Sequence, residues 1–60
     1  MKNIYGNEVR EKDIKNIILI AKDLQFYGYN FNYFYENYTN LLTKDDSKNL
    51  WNKAMELNIV

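Results

Sequence analysis

The chain has 60 residues, eight Lys plus Arg against eight Asp plus Glu, and no cysteine, histidine or proline. So short a chain forms one domain and buries only about 60% of the surface that its unfolded form exposes. These absences exclude disulfides and thiolate or imidazole metal sites, and the balanced charge argues against non-specific binding to nucleic acid or an anionic membrane.

Residues 1–9 are ambiguous. Ile4-Tyr5-Gly6-Asn7-Glu8-Val9 fits a miniature hairpin with Gly6-Asn7 as a type II′ turn, or an ordered extended arm. A two-stranded hairpin is marginal in water, so either form has to lie on helices.

The first helix is expected over about 10–27. A start at Arg10 puts Val9 and Ile14 at the spacing of a hydrophobic staple and Asp13 at the third helical position. Arg10 is a poor N-cap, which leaves a start nearer Asn7 open. Glu8–Lys12 and Glu11–Lys15 are i,i+4 pairs in the favourable order. Ile14, Ile17, Ile18, Ala21 and Leu24 form the inner stripe, with Leu19 and Ile20 off it. Gly28 is placed for a left-handed C-cap.

The second helix is expected over about 30–42. Phe31, Phe34, Tyr35, Tyr38, Leu41 and Leu42 repeat at intervals of three and four, a strong amphipathic pattern. Thr43-Lys44-Asp45-Asp46 reads as the break. The third helix is expected over about 47–57, with Asp45 or Asp46 as N-cap and Leu50, Trp51, Ala54 and Met55 facing inward. Asn58 can take the left-handed position after it, with Ile59 folding back as in a Schellman ending. The expected fold is therefore all-α: a compact three-helix domain, residues 1–60, with a short N-terminal arm or mini-hairpin.

Chemistry is poorly supported. General acid–base and nucleophilic catalysis draw mostly on His, Cys and activated Ser or Lys. Asp45-Asp46 is the only adjacent carboxylate pair and reads as a helix cap, and the two glycines lie too far apart for a phosphate-binding loop. No enzyme activity, cofactor or metal is expected. The longest apolar run, Ile17-Ile18-Leu19-Ile20-Ala21, is far short of the roughly 20 residues that span a bilayer. The N-terminus lacks the apolar segment of a secretory signal, so no membrane is expected and the cytoplasm is the expected compartment.

One face of the second helix stands out. Asn30, Tyr33, Asn37 and Asn40 fall at 0, +3, +7 and +10, away from the apolar stripe, with Tyr27 and Tyr29 at the entrance. Protein interfaces enrich Tyr and deplete Lys and Glu, so Tyr29, Tyr33, Asn37 and Asn40 are the expected contacts for another protein. The competing reading is compositional. Asn (10), Lys (7), Ile (6) and Tyr (6) make up nearly half the chain, and their AT-rich codons can supply such a face without a partner. Leu19 and Ile20 need cover, from the arm through Ile4 and Tyr5 or from a second copy of the chain, which makes a homodimer the second expected partner.

The alternative is a helix-turn-helix DNA binder. Ala21, Leu24, Phe26, Phe31 and Phe34 fall roughly where that unit packs, and residues 30–42 would be the recognition helix. Against it, Gln25 stands where the turn usually has Gly, and residues 23–43 contain no Lys or Arg for phosphate contacts. Arg10, Lys12, Lys44 and Lys48 could help only from the flanks. The profile as a whole is that of a small regulator or inhibitor encoded by a phage or mobile element, acting in the host cytoplasm by occluding a host protein, as anti-restriction and anti-CRISPR proteins do.

Overall fold

In the computed structural model, which describes residues 1–59, the chain opens with a hairpin rather than an extended arm. Lys2 and Glu8 form an antiparallel bridge. The loop is Ile4-Tyr5-Gly6, closed by Gly6 N–H to the Asn3 carbonyl (3.0 Å) and Asn3 N–H to the Asn7 carbonyl (2.9 Å). Gly6 has φ +80°, so it supplies the left-handed residue of a bulged three-residue loop, not the expected two-residue type II′ turn. The Asn3 side-chain oxygen accepts from the N–H groups of Tyr5 and Asn7, which satisfies the loop's spare donors.

The first helix, α1 (Glu11–Phe26), starts beside Arg10, whose side chain makes no capping bond. Glu11 and Asp13 sit in its first turn, where carboxylates meet the positive end of the helix dipole. Glu8 lies before the helix, so the expected Glu8–Lys12 pair does not form within it. Glu8 pairs instead with the Met1 ammonium at 3.0 Å, the only ion pair among the described residues. At the other end, Gly28 N–H bonds the Gln25 carbonyl (3.1 Å) and Tyr29 N–H bonds the Leu24 carbonyl (2.9 Å), a full Schellman closure. Gly28 has φ +88° and open space where a Cβ would stand. Gly28→Ala is therefore expected to cost about 1–2 kcal/mol from backbone strain alone. Urea denaturation followed by circular dichroism checks it, and an unchanged midpoint would show that the left-handed closure is dispensable.

The second helix, α2 (Phe31–Tyr38), ends four residues earlier than the periodicity predicts. Thr39 ends it. The Thr39 side chain is buried and its hydroxyl turns back to the Tyr35 carbonyl at 3.5 Å. Leu42 N–H then closes a tight turn on the Thr39 carbonyl (2.9 Å), while the Leu41 carbonyl accepts from Ile4 N–H in the hairpin (2.7 Å). The turn swings Leu42 into the core and leaves Leu41 exposed. Tyr38, also placed on the inner stripe by sequence, is exposed.

The third helix, α3 (Lys44–Ile59), starts three residues earlier than expected. Thr43, not Asp45 or Asp46, is the cap: its hydroxyl accepts from Asp46 N–H at 3.2 Å. Asp45 and Asp46 thereby occupy the first turn and favour the helix dipole. Removing the cap in Thr43→Ala is expected to cost about 1 kcal/mol, read as a lowered melting temperature. The expected Schellman ending is absent. No non-glycine residue described has positive φ, and Asn58 stays helical because its side-chain amide donates to the Gln25 side-chain oxygen (2.9 Å) and the Lys22 carbonyl (3.3 Å) of α1.

Those contacts fix how the long helices run. Gln25 donates its side-chain amide to the Trp51 carbonyl (2.9 Å), while Lys22, one turn earlier, meets Asn58, almost two turns later. Gln25 also meets Asn58, so the C-terminal ends of both helices lie together, while Asp13 and Ile17 of α1 share a cleft with Leu42 just before α3; α1 and α3 therefore run in broadly the same direction. Ala21 and Ala54 are fully buried, and two such small side chains let the helix backbones approach closely. The core is Ala21, Leu24, Phe34, Leu42, Leu50, Trp51 and Ala54, flanked by half-buried Ile14, Ile17, Ile18, Ile20, Phe31, Met1 and Val9. Ser47, fully buried, ties α3 to the end of α2: its hydroxyl lies 2.9 Å from the Thr43 carbonyl oxygen and 3.4 Å from that of Thr39. The fold is thus an all-α three-helix domain, as the sequence implies, and no helix described is long and apolar enough to cross a membrane.

Candidate functional site

The tyrosine and asparagine face is built from the α1–α2 junction outward. The Schellman closure at Gly28 aims the chain so that Tyr29 precedes α2, and Asn30 caps the helix by accepting from Tyr33 N–H at 2.9 Å. Asn30, counted on this face by sequence, is thus committed to the backbone through that oxygen. One turn in from the cap, the Tyr33 ring stacks on Tyr29 with centroids 4.5 Å apart and planes 30° apart. The Tyr38 ring lies 6.3 Å from Tyr33 on the other side. Three rings therefore form a continuous aromatic strip that remains accessible, Tyr29 at 47% and Tyr33 at 39% exposure. Mutual stacking limits their rotamers before any partner arrives, which lowers the entropy lost on binding.

Asn37 follows Tyr33 by one turn and is exposed. Its side-chain amide donates to the Tyr33 carbonyl at 2.9 Å, leaving its oxygen to accept. The structure therefore brings Tyr29, Tyr33 and Asn37 together and adds Tyr38, which sequence reasoning had placed in the core. Five residues place Tyr38 about 140° round the helix from Tyr33, so spacing gave no signal for this pairing and only the ring contact reveals it.

Asn40 is not on the helix. It lies in the Thr39–Leu42 turn and lines a separate cleft of about 290 Å³ between the hairpin, the start of α1 and that turn, with Val9, Arg10, Asp13 and Ile17 on the far walls. It is exposed there, at the edge of the aromatic strip rather than in line with it. Leu19 is 54% exposed, whereas Ile20 is half-buried against the core. The hairpin does not supply the expected cover through Ile4 and Tyr5, since both are exposed themselves.

A second apolar region was not anticipated. Phe26 and Ile59 are the most exposed large hydrophobic side chains described, at 79% and 84%. They flank a groove of about 430 Å³ between α1 and α3 that is also lined by Gln25, Trp51, Met55 and Asn58. Phe26 had been assigned to helix-turn-helix packing, a role its exposure does not fit. The pattern was legible as spacing: Leu19 and Phe26 are seven residues apart, two turns along one helix face. The chain matches no protein-family model, no curated protein and no solved structure.

Proposed function

We propose that this chain is a non-enzymatic protein-binding module, a small regulator or inhibitor that acts by covering a surface of another protein. The observation that carries the reading is the exposed, uncharged strip of Tyr29, Tyr33 and Tyr38 with Asn37 beside it. Tyrosine provides apolar contact area with a polar tip, the combination that recurs at interface hot spots. Asn40 makes a peripheral contact from the neighbouring turn. The balanced charge and a composition rich in residues whose codons are AT-rich support a product of a phage or mobile element that occludes a host enzyme in the host cytoplasm, in the manner of anti-restriction and anti-CRISPR proteins. Self-association is a separate part of the proposal. It was assigned to Leu19 and Ile20, and of these Leu19 offers the accessible surface.

The test compares the wild-type chain with a Tyr33→Ala, Asn37→Ala double variant as bait for proteins from an AT-rich bacterial host. The expected result is a protein retained by the wild type and lost by the variant, with retention little changed by added salt. Equal retention by both baits, or salt-sensitive capture of duplex DNA by both, would remove the tyrosine strip as the functional surface and, in the second case, favour a DNA-binding regulator.

A further inference from the structure

We propose that two copies of the chain pair about a two-fold axis through the groove between α1 and α3, each copy lodging Phe26 and Ile59 against the other's groove. This builds on the self-association reading above and specifies its surface, moving it from Leu19 and Ile20 to Leu19, Phe26, Tyr27, Met55 and Ile59.

A two-fold interface requires one patch to carry both a projection and its complementary hollow. Here they are adjacent. Phe26 and Ile59 project from α1 and α3, and the groove between them is floored by Trp51 and Met55. Tyr27 extends the patch by packing edge-on against Phe26, with centroids 5.2 Å apart. Leu19 extends it the other way along α1, two helical turns before Phe26 and only about 20° round the helix. Placing a second α1–α3 pair on this face by the two-fold operation produces a four-helix arrangement with apolar side chains inside.

The area is what a stable pair needs. The five side chains expose on the order of 500 Å² of largely apolar surface in each copy. A standard interface buries about 800 Å² per partner, a little over half of it apolar. The electrostatics fit a copy of the chain as well. No residue lining the groove is charged, and the chain as a whole has no net charge, so two copies meet without like-charge repulsion and without a field that would select a charged ligand instead.

Sedimentation equilibrium on the full chain, at concentrations up to about 1 mM, tests this. The expected result is a species of twice the 7.3 kDa chain mass. Phe26→Glu changes the interface twice, once in each copy, so at about thirtyfold for each site the dimer dissociation constant rises roughly a thousandfold. Ile59→Lys, on the opposite wall, acts in the same direction. Both residues are exposed in the single chain, so helicity by circular dichroism stays unchanged in both variants, and Tyr33→Ala leaves the dimer intact. A wild-type chain that remains monomeric throughout would overturn the proposal together with self-association itself. A dimer that survives both Phe26→Glu and Ile59→Lys would overturn this surface while leaving self-association standing.

Discussion

Trp51→Ala is expected to bring the protein to the edge of unfolding at room temperature. Trp51 is 6% exposed and packs its ring against Phe34 at 5.2 Å and Phe31 at 6.1 Å between centroids. Truncating a buried Trp or Phe costs about 3–5 kcal/mol through lost burial and the cavity left behind. The whole stability of a 60-residue domain, at about 0.05–0.15 kcal/mol per residue, is only about 3–9 kcal/mol. One substitution therefore removes a large fraction of it, or all. A loss of 1 kcal/mol lowers the melting temperature by about 4–8 °C at this size, so the shift should exceed about 12 °C. Phe34→Ala, at a site with no exposure, should behave alike. Leu41→Ala is the matched control: an exposed side chain of similar chemistry, where a change within about 0.5 kcal/mol is expected. Thermal melts by circular dichroism read all three. Trp51→Ala melting within a few degrees of the wild type would mean that α3 does not pack on α2 through this ring.

Tyr33→Ala with Asn37→Ala is expected to weaken binding to the protein partner by at least thirtyfold while leaving the melt nearly unchanged. The two effects separate because the backbone around these residues is held by other groups. Tyr33 N–H bonds the Asn30 cap, which the double variant retains. The Asn37 side chain contributes only an exposed bond to the Tyr33 carbonyl, a group that water satisfies equally well. What is lost is the stacked middle ring between Tyr29 and Tyr38 and the adjacent amide. Interface tyrosines at hot spots cost about 2 kcal/mol or more on truncation, which is roughly thirtyfold in affinity. Salt supplies a second axis. Binding at an uncharged face changes little between low and moderate ionic strength. If the partner is duplex DNA, affinity falls steeply with salt, and removal of Lys44 and Lys48 at the start of α3 hurts more than removal of Tyr33. Affinity that is independent of Tyr33 and Asn37 but steeply salt-dependent would replace the protein-binding reading with the DNA-binding one.

The aromatic strip shows how far residue spacing carries and where it stops. Tyr33 and Asn37, one turn apart, share a face in any helix that contains both, and Tyr29 follows because Gly28 all but dictates where α1 ends. Asn40 was placed by extending the same count past Thr39. Nothing in Tyr38-Thr39-Asn40-Leu41-Leu42 signals a stop by composition: there is no Gly or Pro, and the leucines continue the apolar period. The stop comes from partners distant in the chain. The Ser47 hydroxyl reaches the Thr39 carbonyl, and the hairpin's Ile4 N–H takes the Leu41 carbonyl. Once those carbonyls have partners outside the helix, continuing the helical ladder gains little, and the turn that buries Leu42 wins.

The same division runs through the molecule. Local chemistry determines the number of helices, the glycine closure after α1, the Asn30 cap and the burial of Leu24, Phe34 and Trp51. Each of these depends on groups within about a turn of one another, or on a hydrophobic period that a helix repeats whatever it packs against. Tertiary structure decides which borderline residues end up inside. Ile20 is drawn half-way into the core and Leu42 fully, while Leu41, Tyr38 and Phe26 are left out. The described residues provide a core of seven buried apolar side chains, and competition for that limited volume depends on how helices cross and where turns fall. Asn58 follows the same logic. By itself it favours a left-handed helix ending, but Gln25 and the Lys22 carbonyl on α1 hold it in the helix, which carries Ile59 out into the open beside Phe26.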